Sequence, residues 1–80
     1  MDDDKKEWED LANAIIMLAV KDYKHALLRQ KRHPDSEKAQ EEIRKQERFF
    51  YSDWFETLTN IEPSYLIRKM KEMVFEEEGD

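Results

Sequence analysis

An all-α fold, a small helical bundle built as one domain over residues 1–80, is predicted by three features of the sequence. The chain holds one Gly and two Pro, too little turn material for a set of β-hairpins. Charged residues make up 42% of it, and with Leu, Ala and Met they give a composition that favours helix nearly throughout. The longest apolar run, LANAIIMLAV at residues 11–20, carries Asn13 as its one polar side chain. A helix apolar in every direction needs partners on more than one side.

Each element has its own local cause. From about Asp4 to Lys31 nothing breaks a helix; acidic residues crowd its start, and Arg29, Lys31 and Arg32 its end, as the helix dipole prefers. Pro34 pushes His33 out of the helical region, and Asp35 or Ser36 offers a capping oxygen to a second helix. That helix runs through SEKAQEEIRKQERFFY, antiparallel to the first, with Ala39, Ile43, Phe49 and Phe50 as apolar anchors. Ser52-Asp53 can cap a short third helix, DWFETLT, which the Asn60–Pro63 break stops. Pro63 then suits the first position of a fourth helix, whose Leu66, Ile67, Met70, Met73 and Val74 form a stripe at helical spacing. The two shorter helices are expected to fold over the apolar N-terminal half of helix 1. The expected core is Leu11, Ile15, Leu18, Tyr23, Leu27, Ile43, Phe50, Trp54, Leu58, Leu66 and Met70, with residues 1–5 and 76–80 frayed.

Composition narrows the function classes. With no cysteine there is no disulfide, and two histidines without ligand-like spacing give no structural zinc site, so neither a metal nor another cofactor is expected. The longest apolar run is half of what spans a bilayer, and no signal-peptide pattern opens the chain, so the protein is expected in the cytoplasm without a membrane partner. A net charge of −6 repels nucleic-acid backbone on average. The opening MDDDKK resembles part of a protease-tag sequence and is assigned no function.

Four constellations of residues bear on chemistry. Trp8, Leu11, Ala12, Ala19, Tyr23 and Ala26, followed by Pro34, approach tetratricopeptide spacing, but they lie on one unbroken helix with no second repeat, so they read as core. The basic cluster Lys21, Lys24, His25, Arg29, Lys31 and Arg32 reads as the complement of Glu37, Glu41 and Glu42 across the first hairpin. His25 with Asp22 has no nucleophile nearby, so no catalytic residue is assigned and the protein is not expected to be an enzyme. The aromatic group around Ser52 is too dense to point wholly inward. Phe49, Tyr51, Asp53, Trp54, Phe55, Glu56 and Glu62 are therefore the candidate partner-binding residues: aromatic anchors on an acidic rim.

An alternative draws residues 52–72 as a helix-turn-helix-like DNA-binding regulator, with Ser64, Tyr65, Arg68, Lys69 and Lys71 facing a groove. Against it stand Trp54, Phe55 and Glu56 where that motif wants a small residue. A third possibility is an acidic nucleic-acid mimic that inhibits a host protein.

The segments Ala19-Val20-Lys21-Asp22-Tyr23, Ala26-Leu27, Glu47-Arg48-Phe49-Phe50-x-Ser52-Asp53-Trp54-Phe55-x-x-Leu58-Thr59 and Tyr65-Leu66-Ile67 together resemble small uncharacterised helical proteins encoded by phages and prophages of Gram-positive bacteria. The likeness covers about residues 11–75, and the Phe-Phe-x-Ser-Asp-Trp-Phe string is its most specific part. It departs at Glu62-Pro63, where an Asp-Gly is expected before the last helix. The resemblance implies a phage accessory protein acting in the host cytoplasm and brings no catalytic residues; the acidic excess and the aromatic group add the expectation of a non-enzymatic protein–protein interaction with a host or phage protein. A homodimer through helix 1 is the accompanying expectation, with Asn13 paired to its symmetry mate in an apolar seam.

Overall fold

The computed structural model describes residues 2–76, and these form four helices: α1 (Asp2–Arg32), α2 (Glu37–Phe50), α3 (Asp53–Leu58) and α4 (Pro63–Glu76). The small all-α bundle predicted from the sequence is the observed fold, with no strand among the described residues. Of the ends expected to fray, Met1 and residues 77–80 lie outside the described residues, whereas α1 is already helical at Asp2.

Helix boundaries follow from single side chains. Ser36, in extended backbone, accepts the Ala39 amide at 3.2 Å and starts α2. Ser52 serves two helices: its Oγ donates to the Phe49 carbonyl at 2.6 Å, closing α2, and accepts the Phe55 amide at 3.2 Å, opening α3. Pro63 occupies the first position of α4, where its missing amide hydrogen would have no helical partner in any case.

At ~1.5 Å per residue, the 31 residues of α1 are about 46 Å long and the 14 residues of α2 about 21 Å. The overall extents of 49 × 27 × 17 Å show α1 as the long axis of the molecule. It packs against each of the other three helices. α2 runs back along it, bringing the Tyr23 and Phe50 rings to 5.3 Å in an edge-on contact. α3 reaches the N-terminal part of α1, where Trp54 meets Trp8 at 6.3 Å. α4 reaches toward the C-terminal end of α1: its Lys71 reaches the same carboxylate that holds Tyr23, and its Val74 carbonyl accepts Lys31 Nζ at 2.8 Å. Of the two short helices expected over the N-terminal half of α1, α3 is the one that meets it at Trp8.

The face that α1 buries also differs from expectation. Ala12, Ile16, Ala19, Tyr23, Ala26 and Leu27 are inside, whereas Leu11 and Leu18 are 55% and 61% exposed and Ile15 is half-buried. Ala12, Ala19 and Ala26 recur every seven residues on this inner face. Their small side chains let neighbouring helices approach, and the volume is supplied from the other side by Phe50, Phe55, Ile67, Met70 and Val74. Trp54, also expected in the core, is 49% exposed, and Leu66 is half-buried at the core margin.

Candidate protein-binding surface

The surface around the α2–α3 corner starts from Ser52, because capping both helices fixes which way the flanking aromatics turn. Phe50 and Phe55 point inward, fully buried, with ring centroids 5.5 Å apart. Phe49 is half-buried and leans edge-on against Phe55 at 5.7 Å. Phe55, assigned to partner binding from the sequence, is therefore a core residue; as the third residue of α3 it projects toward α1 and α2. Tyr51 and Trp54 turn outward, 62% and 49% exposed.

The remaining candidates do not form one patch. Tyr51, Glu56 and Glu62 border a cleft of about 300 Å³ beneath the 59–62 connection, with Phe50 and Phe55 at its base. Trp54 lies elsewhere, against Trp8 in a T-shaped contact with the rings inclined at 71°. Asp53 is exposed beside it at the start of α3. Sequence reasoning placed the exposed aromatics correctly in kind, but the partner of Trp54 is 46 residues away in the chain and carried no local signal. What emerges is an exposed Trp8–Trp54 pair next to exposed Leu11, on an otherwise strongly charged molecule.

Behind this surface, one polar node ties three helices. The Tyr23 hydroxyl donates to Glu47 Oε2 at 2.8 Å, and Lys71 Nζ approaches the same oxygen at 3.6 Å. Burial pushes the Tyr23 pKa well above its ordinary value, and the adjoining carboxylate adds to the rise, because ionising the phenol would place two negative charges side by side. A tyrosine held neutral in this way is a structural donor. The buried Gln46, next to Glu47 in sequence, donates to Glu42 at 3.2 Å.

The residues of the DNA-binding alternative are all exposed on α4, but they are partly engaged within the chain. Arg68 and Lys69 each lie 5.6 Å from the centre of the Tyr65 ring, Lys69 pairs with Glu72 at 3.5 Å, and Lys71 is taken by Glu47. Ser64 hydrogen-bonds Glu62 at 3.3 Å. α3 packs on α1 and α2, and α4 on α1, with Phe55 and Leu58 of α3 and Ile67, Met70 and Val74 of α4 in one core cluster.

The basic cluster at the end of α1 meets expectation in part. Arg29, Lys31 and Arg32 occupy the last turn of α1, and His25 and Arg29 line a cleft with Glu42, although among the described residues Lys21, Lys24, His25, Arg29 and Arg32 form no ion pair with α2. Among the same residues no group of three or more His, Asp or Glu is placed to hold a metal ion, and no helix is long and apolar enough to cross a membrane. No protein-family model matches the chain, and neither a curated protein nor a solved structure matches it.

Proposed function

We propose that this protein is a non-enzymatic accessory protein of phage type that acts in the host cytoplasm by binding another protein, from the host or from the phage. The observation that carries the reading is the exposed Trp54–Trp8 pair with exposed Asp53 beside it, while Tyr51, Glu56 and Glu62 border a separate cleft of the same corner. Large aromatic surface left outside a small charged domain is the chemistry of an interface anchor, and the acidic surroundings favour a basic partner. Self-association along helix 1 belongs to the same reading. The phage assignment rests on the Phe49–Phe55 string and the segments that accompany it.

Affinity capture from host lysate with the wild-type chain and with Trp54→Ala tests the proposal. A partner retained by the first and lost by the second is expected; identical captured sets would reject the corner as an anchor. The narrower possibility, that the carboxylates imitate nucleic-acid phosphates, requires binding to weaken with salt and with Asp53→Asn, Glu56→Gln and Glu62→Gln together. The DNA-binding alternative predicts a mobility shift of duplex DNA that Arg68→Ala abolishes.

A further inference from the structure

The outer side of α1 carries an exposed ridge, bordered by α2 where Leu18 meets a cleft with Lys45, Gln46 and Phe49 and His25 one with Lys38, Ala39 and Glu42. Glu7, Leu11, Ala14, Leu18, Lys21 and His25 are all exposed, and their spacing of 4, 3, 4, 3 and 4 residues sets them in one ridge along the helix. The ridge is acidic at its N-terminal end, apolar in the middle and basic at its C-terminal end. Asp4 extends the acidic end and Arg29 the basic end; both are exposed. Among the described residues Asp4, Glu7, Lys21, His25 and Arg29 form no ion pair within the chain.

We infer that this ridge is covered by α1 of a second copy of the chain, running antiparallel about a two-fold axis near residue 16. This inference rests on the self-association included in the functional reading and fixes its surface and direction. A two-fold contact requires a surface that complements itself when reversed. Reversal places Leu18 against Ala14 of the other copy, Leu11 along the aliphatic stem of Lys21, and Glu7 and Asp4 beside His25 and Arg29. A parallel arrangement would instead set Glu7 against Glu7 and Lys21 against Lys21. The acidic–apolar–basic order thus selects both the occupant and its direction. Asn13 takes no part: it lies five residues from Leu18, about 140° around the axis at 3.6 residues per turn, so the symmetric Asn13 pair expected from the sequence is absent from this arrangement.

The full chain, which has no native cysteine, allows a direct test. Light scattering at high micromolar concentration should give twice the 9.8 kDa chain mass, and Leu18→Glu should return it to one chain mass with an unchanged helical circular dichroism spectrum. Under oxidising conditions, a mixture of Glu7→Cys and His25→Cys chains should give the mixed disulfide, and Glu7→Cys alone should not cross-link. A monomeric wild type, or a dimer indifferent to Leu18→Glu, overturns the inference, and cross-linking of Glu7→Cys to itself overturns its direction. Partner capture that still depends on Trp54 in a monomeric chain would leave the corner reading standing while this one falls.

Discussion

The two halves of α1 differ in what surrounds them, although both are rich in apolar residues. Between Ile15 and Arg29 one side of the helix lies along α2, and Lys31 reaches α4, while Tyr23 and Leu27 are almost wholly buried. At its N-terminal end α3 meets Trp8, and on the outer side of the helix Trp8, Leu11, Met17 and Leu18 remain 42% to 65% exposed. Apolar character alone therefore does not tell a core side chain from an interface side chain. What separates them is whether an opposing element supplies matching volume, and α2, α3 and α4 do not enclose α1 on every side.

The comparison breaks most visibly at Phe50, which is fully buried, meets Tyr23 and Phe55 edge-on and packs on Phe49 with the rings tilted at 55°. Phe50→Ala should lose about 3–5 kcal/mol, enough to unfold much of a domain of this size. Thermal or urea denaturation followed by circular dichroism checks it; a midpoint within a few degrees of wild type would contradict the packing described.

Next comes Tyr23. Tyr23→Phe removes a buried hydrogen bond to a carboxylate and should cost about 1.5–3 kcal/mol at neutral pH. It should also change the alkaline limb. An unfolded tyrosine releases its proton near pH 10, whereas folded Tyr23 retains its proton to higher pH. The stability due to this shift is thus fully present below pH 10 and is lost as pH rises above it, at about 1.4 kcal/mol per pH unit. Unfolding free energies measured from neutral pH to pH 11 should fall less steeply in Tyr23→Phe than in wild type. Parallel curves would mean that Tyr23 ionises as readily in the folded chain as in the unfolded one.

How much of this contrast the sequence disclosed depends on the scale at which its signals act. Helix limits are local: Ser36, Ser52 and Pro63 set them by hydrogen bonds and ring geometry within three or four residues, and they were legible. The buried face of α1 is not local. Leu11 and Leu18 outrank Ala12 and Ala19 in hydrophobicity, so size favoured the wrong face, while the seven-residue alanine spacing marked the side on which other helices come close. At the corner, the density of aromatics indicated that some must stay outside. Which ones do was fixed by the double cap at Ser52, and the pairing of Trp54 with Trp8 depends on tertiary packing that no short window contains.

Ser52 offers a smaller perturbation. Ser52→Ala removes the cap of α3 and the closing bond of α2 together, at about 1 kcal/mol. It should also loosen the orientation of Trp54. A drop in midpoint accompanied by a red shift of the tryptophan emission is the expected result, and a shift in neither would show that the cap does not position the corner.

The smallest effect on the isolated chain belongs to Leu18, and that smallness is informative. Leu18 is 61% exposed, so Leu18→Ala removes little surface that folding hides from water, and the monomer should change by no more than about 0.5 kcal/mol. At concentrations that favour the proposed dimer, the same side chain lies against Ala14 of the second copy and its loss should lower the midpoint further, because association adds to apparent stability by mass action. The diagnostic quantity is the concentration dependence of the wild-type minus Leu18→Ala difference, read by thermal denaturation from low to high micromolar chain. A difference that stays near zero throughout makes the N-terminal half of α1 a bare surface; one that is large even in dilute solution places Leu18 in the core after all and removes the contrast between the two halves.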